Sequence, residues 1–388
     1  MKKLLILPFL LASLQAQDFE SFLAESLAKS PRLQTNALTL KQAQQRAELT
    51  TRYENPTLSV ELSDFNPDLG DNELGYRGAI SQPLRLWGVG SSREALAEAQ
   101  KSEAHASVKL SRASFIQKIA SLYAFYKNRQ NAQELAGEEL LIAQKIATIS
   151  QARFENGTIA KVKYIQATLD VKRVQNFLAQ KKVATTTAYY QLMGFRALNE
   201  EVELDTDYNF SLTKENENRT NAQIELSKAQ KDSALASSEL NANKLEWITL
   251  NGEFEKEPEQ SIARVSVDIP LVLFNTKSQE KQIAKFEAQK AEILTENLTQ
   301  QMHFKLRELR QAIDTLTKVE ETSQELLTSQ KELLSMYEEG YKIANIDLIE
   351  LQTIKNQLIE TKENLLNITL QKELNIIQHN YLTGSYNE

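Results

Sequence analysis

The feature that most limits what this chain can fold into is the absence of helix breakers from two long stretches. Ser91 to Asn156 holds one glycine, Gly137, and no proline, and Thr276 to Glu339 holds neither. Both runs exceed 60 residues and are rich in Ala, Glu, Lys, Gln and Leu, the strong helix formers. A helix of that length would extend roughly 95 Å, well beyond an ordinary globular helix, which predicts a coiled coil or a helical tube. Periodicity agrees. Leu306, Leu309, Ile313 and Leu316, then Leu327, Leu334 and Tyr337, keep a 3-4 spacing interrupted at Glu320 and Ser323. Leu351, Ile354, Leu358, Thr361, Leu365 and Ile368 repeat it on a last helix, a seam suited to knobs-into-holes packing. Ala95, Ala99 and Ala106 supply small core positions that let helices approach closely.

The breakers cluster elsewhere. Of 18 Gly and Pro residues, 11 fall between 55 and 90 or between 250 and 270, and there the apolar period changes to two. Leu58, Val60 and Leu62 alternate with Ser59, Glu61 and Ser63. The loop Asn66-Pro67-Asp68-Leu69-Gly70-Asp71-Asn72 has strong turn chemistry. A returning strand at about Tyr76–Trp87 sets Ile80, Leu84 and Leu86 opposite Arg77 and Ser81. In the second window Ile248, Leu250 and Phe254 alternate with Thr249, Asn251 and Glu253. Its return carries Val265, Val267, Ile269, Leu271 and Leu273 on one face, with Arg264, Ser266 and Asp268 on the other. These are two hairpins, at about 57–87 and 246–274. Strands of about ten residues suit a tilted bilayer crossing with the apolar face to lipid. They equally suit a soluble sheet packed on helices, and alternation alone leaves both open.

The two halves are one unit repeated. Pro83-Leu84-Arg85-Leu86-Trp87 aligns with Pro270-Leu271-Val272-Leu273-Phe274 at an offset of 187. The same offset lays Phe154-Glu155-Asn156-Gly157 on Tyr341-Lys342-Ile343-Ala344. A first repeat at 17–194 then contains a short helix, the hairpin, a long helix at about 91–155 and a return helix at about 158–193. A second, at 221–388, has its long helix at about 276–339 and its return helix at about 345–383. The polar segment 195–220 links them. Four strands cannot close a barrel, and an open sheet edge cannot be left in lipid. If the strands enter a membrane, several chains must close the sheet together, and three would supply twelve strands.

Met1-Lys2-Lys3 followed by an apolar run from Leu4 to Leu11 and small residues up to Ala16 reads as a signal peptide at 1–16. The chain is acidic, with 45 Lys+Arg against 52 Asp+Glu, which argues against a nucleic-acid partner. Without cysteine there are no disulfides, thiolate metal sites or N-terminal lipid anchor. His105, His303 and His379 are scattered, so no metal site or cofactor is expected. The sequence holds no nucleophile–base pairing or phosphate loop, and an enzyme is not expected.

Taken in order, Asn55-Pro56-Thr57-Leu58, Gln82-Pro83-Leu84 before a long helix, Arg153-Phe154-Glu155-Asn156-Gly157 at the turn and its counterpart Gly340-Tyr341-Lys342-Ile343-Ala344, followed by Asp347 and Glu350, resemble the TolC-like outer membrane efflux proteins. The resemblance spans essentially the whole mature chain. It implies a mainly α fold with a small β part: two tandem repeats forming a long coiled-coil tube, plus a 12-stranded barrel completed by a homotrimer. It further implies a Gram-negative outer membrane channel reaching into the periplasm. Such a channel is the passive exit duct of a tripartite efflux pump, with a periplasmic adaptor and a proton-driven inner-membrane transporter as partners. Within the family a type I protein-secretion duct is the alternative; outside it, an exported coiled-coil structural or adhesive protein.

Carried over by position, the adaptor would dock at Phe154, Gly157, Thr158 and Ile159 in one repeat and at Tyr341, Ala344, Asn345 and Ile346 in the other. A periplasmic constriction would involve Lys163, Asp347, Glu350 and Thr353. Two departures stand out. Ala344 replaces the family's usual Gly, which makes a left-handed residue there less expected. Lys163 replaces a usual acid, so Glu350 would either form a carboxylate ring alone or pair with Lys163.

Overall fold

The computed structural model describes residues 17–66, 72–214 and 220–387. The expected signal peptide, loop residues 67–71 and linker residues 215–219 lie outside the described residues. The described residues form seven helices and four strands: α1 (Phe19–Lys29), α2 (Pro31–Thr51), β1 (Thr57–Phe65), β2 (Glu73–Arg85), α3 (Val89–Glu155), α4 (Lys161–Arg196), α5 (Ala222–Ala242), β3 (Trp247–Lys256), β4 (Ser261–Asp268), α6 (Ser278–Lys342) and α7 (Leu348–Leu382). The chain divides into two compact units. One gathers the residues up to Gln34, Ser111–Asn221 and Met302 onward; the other takes Thr35–Leu110 and Ala222–Gln301.

The first unit has two apolar cores. One centres on Phe19 and Phe22 of α1, Phe115, Ile119 and Tyr123 of α3, Leu192 of α4 and Ile377 of α7. The linker joins this core despite its polar composition, because Leu204 and Phe210 are buried in it. Lys127 of α3 anchors the linker by donating to the Tyr208 carbonyl at 2.7 Å and to Glu373 at 2.8 Å. The second core follows the predicted seam, with Leu327, Leu334, Leu351 and Leu358 buried together with Ile146 and Ala167.

The second unit combines the sheet with the N-terminal parts of the long helices. Its buried side chains are mostly small: Ala47, Ala97, Ala106, Ala229, Ala236, Ala284 and Ala288. Ala106 is buried as expected, but Ala95 is exposed and Ala97 takes the core position. The four strands form one antiparallel sheet in the order β1-β2-β3-β4, so the two hairpins join through β2 and β3 and β1 and β4 are its edges.

Several element ends differ from the sequence reading. The first return helix starts at Lys161 and passes through Gly194 to Arg196, which is fully buried against Glu25 of α1. Ala197 then turns left-handed at φ 57° and ends the helix. Strand β4 stops at Asp268, opposite Thr249. Pro270 follows and has no N–H for the ladder, and the Leu273 amide donates to the Leu271 carbonyl at 3.0 Å in a turn. Ile269, Leu271 and Leu273 therefore lie beyond the strand in the single chain.

A buried charge cluster joins three helices of the first unit. Lys355 of α7, fully buried, donates to Asp170 of α4 at 2.6 Å and stands 3.5 Å from Glu139 of α3. Arg173 adds 2.8 Å and 3.6 Å contacts to the same two carboxylates. Burial pushes the Asp170 carboxyl up, but hydrogen bonds and charge from Lys355 and Arg173 outweigh it and hold it below 3.8. Its contribution to stability is therefore complete above that value and is lost as the pH falls through the lower folded value. Asp170→Ala leaves the buried ammonium with one distant partner and should cost about 3 kcal/mol, read as a lower thermal midpoint. Unchanged melting at neutral pH would contradict this role for the cluster.

Candidate functional site: the helix-hairpin tips and the exposed sheet

At the first tip, α3 ends in a left-handed Gly157 with φ 71°. The Gly157 amide donates to the Phe154 carbonyl at 2.9 Å and the Thr158 amide to the Arg153 carbonyl at 2.8 Å. This double closure satisfies helix-end carbonyls and defines a Schellman end. The second tip has the same pattern, with Ala344 donating to Tyr341 at 3.3 Å and Asn345 to Gly340 at 3.0 Å. Ala344 adopts φ 68°, contrary to the expectation from its side chain. The two carbonyl closures offset the roughly 1–2 kcal/mol that a left-handed L-residue costs. Gly340 matters for another reason: a Cβ there would meet the Ile346 side chain at 2.5 Å.

The tip residues divide by accessibility. Gly157, Thr158, Ala344 and Asn345 are exposed, and Phe154, Ile159 and Ile346 are half-buried. Phe154 stacks on Tyr164 with ring centroids 5.8 Å apart. Tyr341 aligns with Phe154 in sequence but is fully buried and presents no docking surface, which corrects its place among the tip residues. Its hydroxyl lies 2.8 Å from Ser150 Oγ, its carbonyl accepts from Arg153 at 2.8 Å, and the Arg153 guanidinium sits 4.6 Å from its ring centroid. Ile343, absent from the sequence-derived set, is 69% exposed at the second tip.

Lys163 of α4 bonds Asp347, not Glu350. Asp347 is already the N-cap of α7, accepting from the Ile349 amide at 3.0 Å, which places it one turn closer to the tip than Glu350. The Lys163 bond first, and the cap second, hold its carboxyl below the ordinary range. Arg153–Tyr341 and Lys163–Asp347 thus tie the two helical hairpins together. Glu350 and Thr353 are exposed on α7, and Glu350 has no ion-pair partner among the described residues.

In the other unit the two faces of the sheet differ in character, although Asp64, Gln82 and Lys256 share the apolar side. Opposed pairs such as Leu58–Ile80 and Leu62–Tyr76, Gln82–Leu250 and Leu250–Val267 make a nearly continuous apolar face. It is open to solvent: Leu62 is 78% and Val265 82% exposed. The opposite face carries a ladder of alternating charge. Arg77 lies 3.5 Å from Glu61 and 2.6 Å from Glu253, and Arg264 bonds both Glu253 and Glu255. At the helical end of the sheet each strand has an aromatic: Tyr53 before β1, Trp87 after β2, Trp247 opening β3 and Phe274 after β4. Trp87 and Phe274 are essentially fully exposed. An apolar band with an aromatic rim is the pattern of a strand set facing lipid. No helix among the described residues is long and apolar enough to cross a membrane.

Comparison with known proteins agrees with this geometry. Residues 22–195 match the model of the outer membrane efflux protein family. Over 191 residues the chain is 25% identical to the nickel-cobalt-cadmium resistance protein NccC of Alcaligenes xylosoxydans xylosoxydans, a match covering 48% of this chain and 43% of that relative. The chain thus matches less than half the length of this curated relative. Two solved structures share its fold nearly end to end. CusC superposes with a TM-score of 0.80 at 15% identity over 94% of this chain and 91% of its own. The outer membrane protein VceC of Vibrio cholerae gives 0.78 at 14% identity over 94% and 95%. The two comparisons converge: residues 22–195 match the outer membrane efflux protein family in sequence, and almost the whole chain shares the fold of CusC and VceC.

Proposed function

We propose that the protein is the outer membrane exit duct of a tripartite efflux pump, conducting cargo passively from the periplasm to the exterior. The observation that carries this reading is the sheet. Its exposed apolar face needs lipid, and its two open edges need partners once in lipid. Three copies supply twelve strands and leave no edge. The duct does no chemistry of its own, and a periplasmic adaptor joins it to a proton-driven inner-membrane transporter. Fractionation tests this directly. A heat-sensitive oligomer in detergent extracts of outer membranes is expected, and recovery as a soluble monomer would overturn the reading in favour of an exported coiled-coil protein.

The adaptor docks on the exposed tip residues Gly157, Thr158, Ala344, Asn345 and Ile343, with the half-buried Phe154, Ile159 and Ile346 shaping the surface. Three copies of Glu350 face one axis as a carboxylate ring, with Thr353 one turn on. Similarity to a nickel-cobalt-cadmium resistance protein makes divalent transition-metal ions the first cargo to examine. At Gly157 a Cβ meets nothing within 4 Å, and Ala344 already carries a side chain in the same turn. Gly157→Ala should therefore preserve function. Gly157→Trp should abolish resistance to nickel, cobalt and cadmium while trimers persist. Full resistance with Gly157→Trp would contradict docking at this tip.

A further inference from the structure

Ile269 and Leu271 continue the apolar alternation of β4 and are 58% and 79% exposed, yet they belong to no strand in the single chain. Continuing the β3 register would set Ile269 opposite Ile248 and Pro270 opposite Trp247, but Pro270 cannot donate and the ladder to β3 stops at Asp268. Only the outer edge of β4 remains, and in a closed barrel that edge meets β1 of the next copy. This step rests on the proposed trimeric barrel and asks how its seams are registered.

Two constraints select the register. Directly opposed residues trace across one copy as Glu61, Arg77, Glu255 and Ile262. The β1 residue of the next copy that faces Ile262 then sets the stagger. A flush fit, with Thr57 opposite Asp268, puts Ser63 there, a stagger of two residues per copy and a strand tilt of only about 19°. Transmembrane barrels need about 35–45°. A stagger of four gives about 35°, and one of six about 46°. Sliding the opposite way would push β1 onto the turn closed by Glu257 and Gln260.

Charge separates four from six. With a stagger of six, Glu61 would face Asp268, two like charges directly opposed. With four, Glu61 faces Ser266, diagonal to Arg264. The sheet already uses that same diagonal: Arg77 is directly opposite Glu255 but bonds Glu253, which faces the position two residues further along β2. A stagger of four also sets Val60 against Val267, Leu62 against Val265 and Leu58 against Ile269, all on the lipid face. It ends at the turn formed by Leu271 and Leu273.

We infer that Ile269 and Pro270 extend β4 against β1 of a second copy, in the register opposing Asp268 with Ser59, so that Arg264 and Glu61 of the next copy close the charge ladder into a ring.

The chain has no cysteine, so paired cysteines report the register without background. Ser59 and Asp268 sit on opposite edges of one sheet, so a disulfide between them joins different copies. Directly opposed residues lie within disulfide reach, whereas diagonal ones at about 7–8 Å exceed it. Ser59→Cys with Asp268→Cys, and independently Val60→Cys with Val267→Cys, should convert the membrane-extracted protein to covalent trimers under mild oxidation. Thr57→Cys or Glu61→Cys with Asp268→Cys should not. Covalent trimers from either comparison pair, or none from any pair while an amine cross-linker still captures trimers, would overturn the register. Capture of monomers only would overturn the barrel itself.

Discussion

A four-stranded antiparallel sheet has two rows of backbone groups with no partner, one on β1 and one on β4. In water those rows are merely exposed, but beside an apolar face that requires lipid each unpaired N–H or C=O costs several kcal/mol. Much of the remaining structure follows from that constraint. The apolar face and aromatic rim demand a bilayer, the bilayer demands closure, and closure demands further copies. The alternating charges on the opposite face are then compatible with a water-filled lumen, where exposed ion pairs contribute little stability but favour one strand register over another.

The helical tips meet a different requirement. They must end two long helices, turn the chain, and leave a defined surface. Both do so with the same pair of carbonyl closures, although one uses Gly157 and the other Ala344. Arg153 and Lys163 from one hairpin engage Tyr341 and Asp347 from the other, so the two repeats diverge in chemistry where they remain alike in backbone. The repeat supplies two equivalent turns, and the substitutions turn one into donor and the other into acceptor of a latch.

Much of the fold was legible because breakers act locally. The clustering of Gly and Pro located both hairpins and both long helices, and period-two alternation assigned the sheet faces. Properties that depend on residues distant in sequence were not legible. Nothing local to Tyr341 indicates that Ser150 and Arg153 will enclose it, and Lys163 could reach either Asp347 or Glu350 until the N-cap fixed Asp347 nearer the tip. The end of β4 was misplaced because alternation continues through Leu273, whereas pairing with β3 ends at Asp268. The alternation beyond Asp268 is what the proposed seam between copies would use.

The central claim is that the edges of this sheet are paired in the working protein. Amide hydrogen exchange of the detergent-extracted protein measures this residue by residue, since unpaired edge amides exchange far faster than laddered ones. Closure predicts protection in β1 and β4 equal to that in the interior strands β2 and β3. Rapid exchange along both edges, with β2 and β3 protected, would contradict it.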